Sequence, residues 1–201
     1  MNKLTQALSI FIDRDELTDE LGKVLIYACE AGTISYEKLE KIAGDSSDDI
    51  LLLCWQWKLL IPVRTSQSGE WDHRIMSPKS GEVYEIPNIS LKILEHARGT
   101  GDWDSKKAIL DFFRSHGVPA WEKMPALIEN IRHLCLNYII SADQIKNVCQ
   151  DLGLEEEVDS LIATLKWAGV MSPKLGSIIQ VDRAGKPLYE FNPCLIAEAF
   201  N

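Results

Sequence analysis

Apolar residues recur at helical spacing through most of this chain and switch to alternation with polar residues around residues 61–87 and 177–192. That switch predicts helices followed by β-hairpins, twice over. The first half opens with helices over Leu4–Ile12 and Glu16–Ala31. A short helix follows, N-capped by Ser35 and ending near Gly44. A longer third helix over Ser47–Leu60 leads into the hairpin segments "IPVRTS", "WDHRIM" and "EVYEIP" and a closing helix, "SLKILEHA". The second half repeats the order, with helices over Ser105–Ser115 and Trp121–Asn137 and a short one capped by Ser141. Gln144 stands three residues on, where it completes a capping box that Lys38 does not. The third helix, Glu155–Ala168, then precedes "SIIQVD", the turn "RAGK", "PLYEFN" and a closing "CLIAEAF".

The two halves are also related residue by residue. At an offset of 106, Ile34 meets Ile140, Ser35 meets Ser141, Leu39 meets Ile145 and Cys29 meets Cys135. At 105, Tyr84 meets Tyr189 and Glu85 meets Glu190. Near-constant offsets over such a span point to duplication, and two copies are too few for a solenoid. The expected organisation is a domain over residues 1–98, a Gly-containing linker over 99–104 and a second domain over 105–201.

Three helices with a capped second helix, followed by a hairpin, resemble the winged helix-turn-helix superfamily, here in tandem. The ending "LIATLKWAGVM…VDRAGKPLYEF" is the more typical copy. The resemblance implies a mainly α fold with small β-hairpin wings (α+β), in which the third helix enters the DNA major groove. A DNA reader needs donors for base edges and cations for phosphates. The third helices lack both. Ile50, Leu53, Cys54 and Trp57 form one apolar stripe in the first copy, and Leu51, Trp55 and Leu59 form a second at four-residue spacing, behind Asp48 and Asp49. A helix apolar on two sides is normally buried on two sides. At an offset of 108 the corresponding stripe in the second copy is Asp159, Ala163 and Trp167. Leu51, Trp55, Leu59 and Trp167 are therefore the candidate protein interface, whether with the other repeat, the helix Leu91–Ala97, a second chain or a foreign protein. DNA contact would fall to cations near the wings: Arg64, His73, Arg74 and Lys79 in one copy, and Lys166, Lys174, Arg183 and Lys186 in the other. Glu70, Asp72, Asp182 and Glu190 lie among them.

Charge does not favour nucleic acid. The net charge is -9, and residues 1–100 hold 11 Lys and Arg against 16 Asp and Glu, residues 101–201 10 against 14. Only a local cationic patch would bind a duplex. The five cysteines are scattered among apolar neighbours and suit a core better than a disulfide framework. No nucleotide-binding glycine loop or nucleophile elbow is present. His133 and Cys135, two apart on a helix, point in roughly opposite directions and do not share an ion. His73, His96 and His116 stand alone. No cofactor, metal or small-molecule substrate is expected. No apolar run approaches the ~20 residues of a membrane span, and the start of the chain is acidic too early for a signal peptide, so a cytoplasmic protein is expected. The expected function is that of a non-enzymatic regulatory or adapter protein acting through protein contact or self-association. The alternative is a DNA-binding transcriptional regulator that uses its wing cations.

Overall fold

The computed structural model describes residues 2–12, 15–63, 71, 74, 76–174 and 187–196. Arg64, His73, Arg183 and Lys186, with the segments "QSGE", "SIIQVD" and "RAGK", lie outside them. The described chain is mainly helical with two small antiparallel sheets. The first half runs α1 (Lys3–Leu8), α2 (Asp15–Ala31), β1 (Thr33–Ser35), α3 (Tyr36–Ala43), α4 (Ser47–Gln56), β2 (Ile61–Pro62), β3 (Val83–Glu85) and α5 (Asn88–Thr100). The second runs α6 (Ser105–Ser115), α7 (Met124–Leu134), β4 (Ile139–Ser141), α8 (Ala142–Asp151), α9 (Val158–Ala168), β5 (Met171–Pro173) and β6 (Leu188–Phe191), closing in a 3-10 turn at Pro193–Leu195. Each half thus threads its third strand between the first two, in the orders β1-β3-β2 and β4-β6-β5. The registers agree too, with Ile34 opposite Tyr84 and Ile140 opposite Tyr189.

Local chemistry accounts for the element starts. Ser35 accepts a hydrogen bond from the Lys38 amide at 3.3 Å. Ser141 does the same for Gln144 while the Gln144 side chain accepts the Ser141 amide at 2.9 Å, the reciprocal box that the sequence spacing predicts.

Several elements are shorter than the apolar periodicity suggests. The third helix of the first half stops at Gln56, and Lys58 takes a left-handed φ of 51°. The Leu59 amide then reaches back to the Cys54 carbonyl at 2.8 Å, which turns Leu59 and Leu60 inward. In the second half Gly169 occupies the equivalent position with φ 76°, and the Val170 amide bonds to the Leu165 carbonyl. The third helices and the strands after them therefore correspond at an offset of 111, not 108: Ile50 with Leu161, Cys54 with Leu165, and Gln56, not Leu59, with Trp167. A shift of three residues is nearly one helical turn, so both alignments lay apolar on apolar. In the first wing β2 pairs directly with β3, and the described residues of "WDHRIM" lie in no strand.

The join between the halves also differs from a linker over 99–104. Helix α5 continues through Thr100, and only Gly101–Asp104 separates it from α6. Gly101 is buried against the Gln6 side chain with φ 93°, a conformation that favours glycine. Helix α5 packs against α1 on one side and α6 on the other. A single apolar cluster, from Leu4 to Leu195, runs through both halves.

Candidate functional site

The short helix α4 decides the fate of the residues expected at a protein interface. Leu51 and Leu59 are 1% and 0% exposed and belong to the chain's own core, so neither meets an outside partner. Leu51 lies beside Ile50 and Cys54 on the inward face, and Leu59 follows the helix instead of extending its stripe. Each contributes roughly 1.5–3 kcal/mol by burial. Trp55 is half-buried, with the Lys58 ammonium 3.9 Å from its ring centre. The outer face of α4 instead carries Asp48, Asp49, Gln56 and Leu52, the last 61% exposed. Asp48 accepts the Tyr36 hydroxyl at 2.5 Å, which raises the tyrosine pKa. Glu37, in the first turn of α3, accepts the Ser80 hydroxyl and the Gly81 amide, and these bonds hold its carboxyl down to about 2. These carboxylates tie α3 to α4 and to the turn before β3.

Of the described wing cations, Arg74, Lys79 and Lys174 are each engaged by a carboxylate. Arg74 is buried, donating to the Pro62 carbonyl at 3.0 Å and pairing with Glu85 at 2.7 Å, so it braces the wing and is withdrawn from any duplex. Lys79 faces Glu82 at 3.6 Å and Lys174 faces Glu190 at 3.7 Å. Lys166 is exposed on α9. The cation that periodicity missed is Lys58, which is 5% exposed and pairs with Glu190 of the other half at 3.1 Å. Its one signal in the sequence is its place inside the apolar run "WKLLIP", where a charge is out of pattern.

Lys58 belongs to a polar seam between the halves. Its carbonyl accepts the Ser90 hydroxyl at 3.0 Å, and the fully buried Asn192 amide donates to Ser90 at 3.1 Å and to the Gly169 carbonyl at 2.9 Å. The Trp71 amide donates to Ser172 at 2.9 Å, and the Trp103 indole to the Cys194 carbonyl at 3.0 Å. Gly169 lies so close to the first half that an added Cβ would stand 2.8 Å from Pro87 Cβ. Buried groups satisfied in this way fix one orientation, because any other leaves them unpaired in a low dielectric. Above the seam is an open groove of about 540 Å³, walled by the first wing and by α9. The remaining interface candidate, Trp167, lies on its rim, 51% exposed and held against Phe112 and His116 with ring centres 5.4 and 5.1 Å away.

A second exposed feature lies at the end of α7. The helix stops at Leu134, three residues before the expected Asn137, and Leu136 and Ile139 exchange both backbone hydrogen bonds around Asn137 and Tyr138. Both turn residues have positive φ, 50° and 63°. Leu136 is 77% exposed, Leu134 44% and Tyr138 40%. The equivalent of Tyr138 in the first half is Gly32, with φ 79°. A tyrosine in left-handed backbone costs about 1–3 kcal/mol.

Acid–base and thiol chemistry find little support. Burial pushes the thiols of Cys29 and Cys135 up to about 11 and that of Cys194 to about 12, so they stay protonated. His133 faces Glu129 at 3.0 Å. Among the described residues no group of three or more His, Cys, Asp or Glu is placed to hold a metal, and no helix is long and apolar enough to cross a membrane.

The chain belongs to a protein family whose model matches residues 2–199, a span that covers both halves. No curated protein and no solved structure matches it.

Proposed function

We propose that this two-halved unit is a non-enzymatic tandem winged-helix adapter, arisen by internal duplication, that acts through protein–protein contact. The duplication reading rests on the matched element order, strand order and register of the halves. The adapter reading rests chiefly on the turn at Asn137–Tyr138, which holds Leu136 out in water at the expense of backbone strain where the first half has a glycine. Strain of this kind persists where the surroundings over-determine it and is concentrated at sites of use. Leu52 on the outer face of α4 adds a second apolar contact point in the position of a recognition helix, one turn after Asp48 and Asp49, whose carboxylates repel phosphate. The DNA reading loses Arg74 to a buried ion pair. Helix α9 is also partly occupied, since its Trp167 carbonyl accepts the Asn88 amide at 3.0 Å.

The experiment places a photo-crosslinking residue at 136, and at the exposed Lys106 as control, and measures duplex DNA binding by the same protein as a function of salt. Crosslinks to discrete polypeptides at 136 and not at 106, with no salt-dependent DNA affinity, are expected. Equal crosslinking at both positions, or duplex binding that falls steeply with salt and is weakened by Lys79→Glu with Lys166→Glu, would overturn the adapter reading.

A further inference from the structure

The groove between the halves has the properties of a preformed ligand site. Its volume of about 540 Å³ falls within the range of small-molecule pockets, roughly 300–1,000 Å³. The buried seam beneath it fixes the two walls relative to each other, so little ordering is needed on binding. The rim carries the half-exposed Trp167 ring, backed by Phe112 and His116 and thereby held in place.

The polar groups of the lining narrow the ligand. Arg74 and Glu85 engage each other, the Asn88 amide is given to the Trp167 carbonyl, and Ser172 accepts the Trp71 amide. Lys166 is the one lining cation with no ion pair among the described residues, and it is adjacent to Trp167 on α9. Among the described lining residues Arg74 and Glu85 pair with each other, which leaves Lys166 as the cation that faces a ligand. The geometry points to a small aromatic monoanion: we propose that the groove binds an aromatic carboxylate, its ring against Trp167 and its charge on Lys166. Ala163 and Pro173 add accessible apolar surface to the lining, and the exposed Trp167 ring offers an aromatic ligand an offset-stacked or edge-to-face contact. The inference stands apart from the adapter reading, since it concerns the seam and not the turn at Leu136.

The test is a fluorescence titration of the full chain with 1-anilinonaphthalene-8-sulfonate as the anionic aromatic probe, followed by competition with 2-naphthoate and with its neutral carboxamide. Probe binding is expected to weaken about tenfold in Lys166→Glu and in Trp167→Ala, to be unchanged in Lys146→Glu, an equal charge change outside the groove, and to be displaced by the carboxylate far better than by the amide. Circular dichroism checks the fold of Trp167→Ala, and Lys166, being exposed, supplies a variant that leaves the packing intact. Four results would overturn the proposal: undiminished binding in Lys166→Glu, an equal loss in Lys146→Glu, equal competition by the amide, or displacement by polyglutamate but not by 2-naphthoate. The last would assign the groove to an acidic polypeptide.

Discussion

The halves differ most tellingly where their backbones agree. At the end of the third helix both adopt a left-handed residue, Lys58 in the first and Gly169 in the second. Ahead of the first strand both do so again, with Gly32 in the first half and Tyr138 in the second. At each position one half uses glycine, the residue this backbone favours, and the other tolerates strain to place a side chain. Lys58 points inward and joins the halves through Glu190, while Tyr138 lies at the surface beside Leu136. The first half's departure contributes to the seam, and the second half's stands beside the exposed Leu136. These two positions are where the otherwise matched halves differ.

Substitutions at three places sharpen that contrast. The largest effect is expected at the third helices: Leu51→Ala opens a cavity in the core and costs about 2–5 kcal/mol, whereas Ile162→Ala, at the equivalent but half-buried position, costs less. Denaturant titration of both variants measures the difference, and equal losses would mean that the halves bury these helices alike. Next is Gly169→Ala, which combines φ 76° with a contact of 2.8 Å to Pro87. A loss of about 1–3 kcal/mol is expected, while Lys58→Gly relieves backbone strain but removes the Glu190 partner. If Gly169→Ala leaves the melting temperature unchanged, the close approach of the halves is not held in solution. The smallest effect is a gain: Tyr138→Gly should stabilise the protein by about 1 kcal/mol while reducing crosslinking from position 136. A stability loss there would show that the tyrosine is needed for folding.

Much of this architecture was legible in the residues. Ser141 and Gln144 announce their capping box, Tyr84 and Tyr189 fall in matching strands of the two hairpin segments, and Ile34 and Ile140 hold matching positions, although the sequence pattern predicts no strand there. Four features were not legible. A continuous apolar run cannot show that Lys58 bends the chain after Gln56, because the periodicity of "ILLLCWQWKLL" persists beyond the last helical turn. A three-residue misalignment of the third helices preserves the apolar pattern, so Trp167 was matched to Leu59 and not to Gln56. The alternating "WDHRIM" gave no sign that Arg74 folds inward onto Glu85, since pairing across a wing depends on where the chain crosses itself. The groove was invisible for the same reason: its walls come from residues about 100 positions apart.

Helix α5 has a practical consequence. Cutting after Arg98, where composition suggests a border, would remove the Gly99 carbonyl to which Lys3 donates at 2.7 Å and lay bare the side of α5 that α6 covers. Fragments made at that point are expected to aggregate, however alike the halves look. Whatever the protein binds, it must present both halves at one fixed angle, so a partner that grips them together reads their spacing as well as their surfaces.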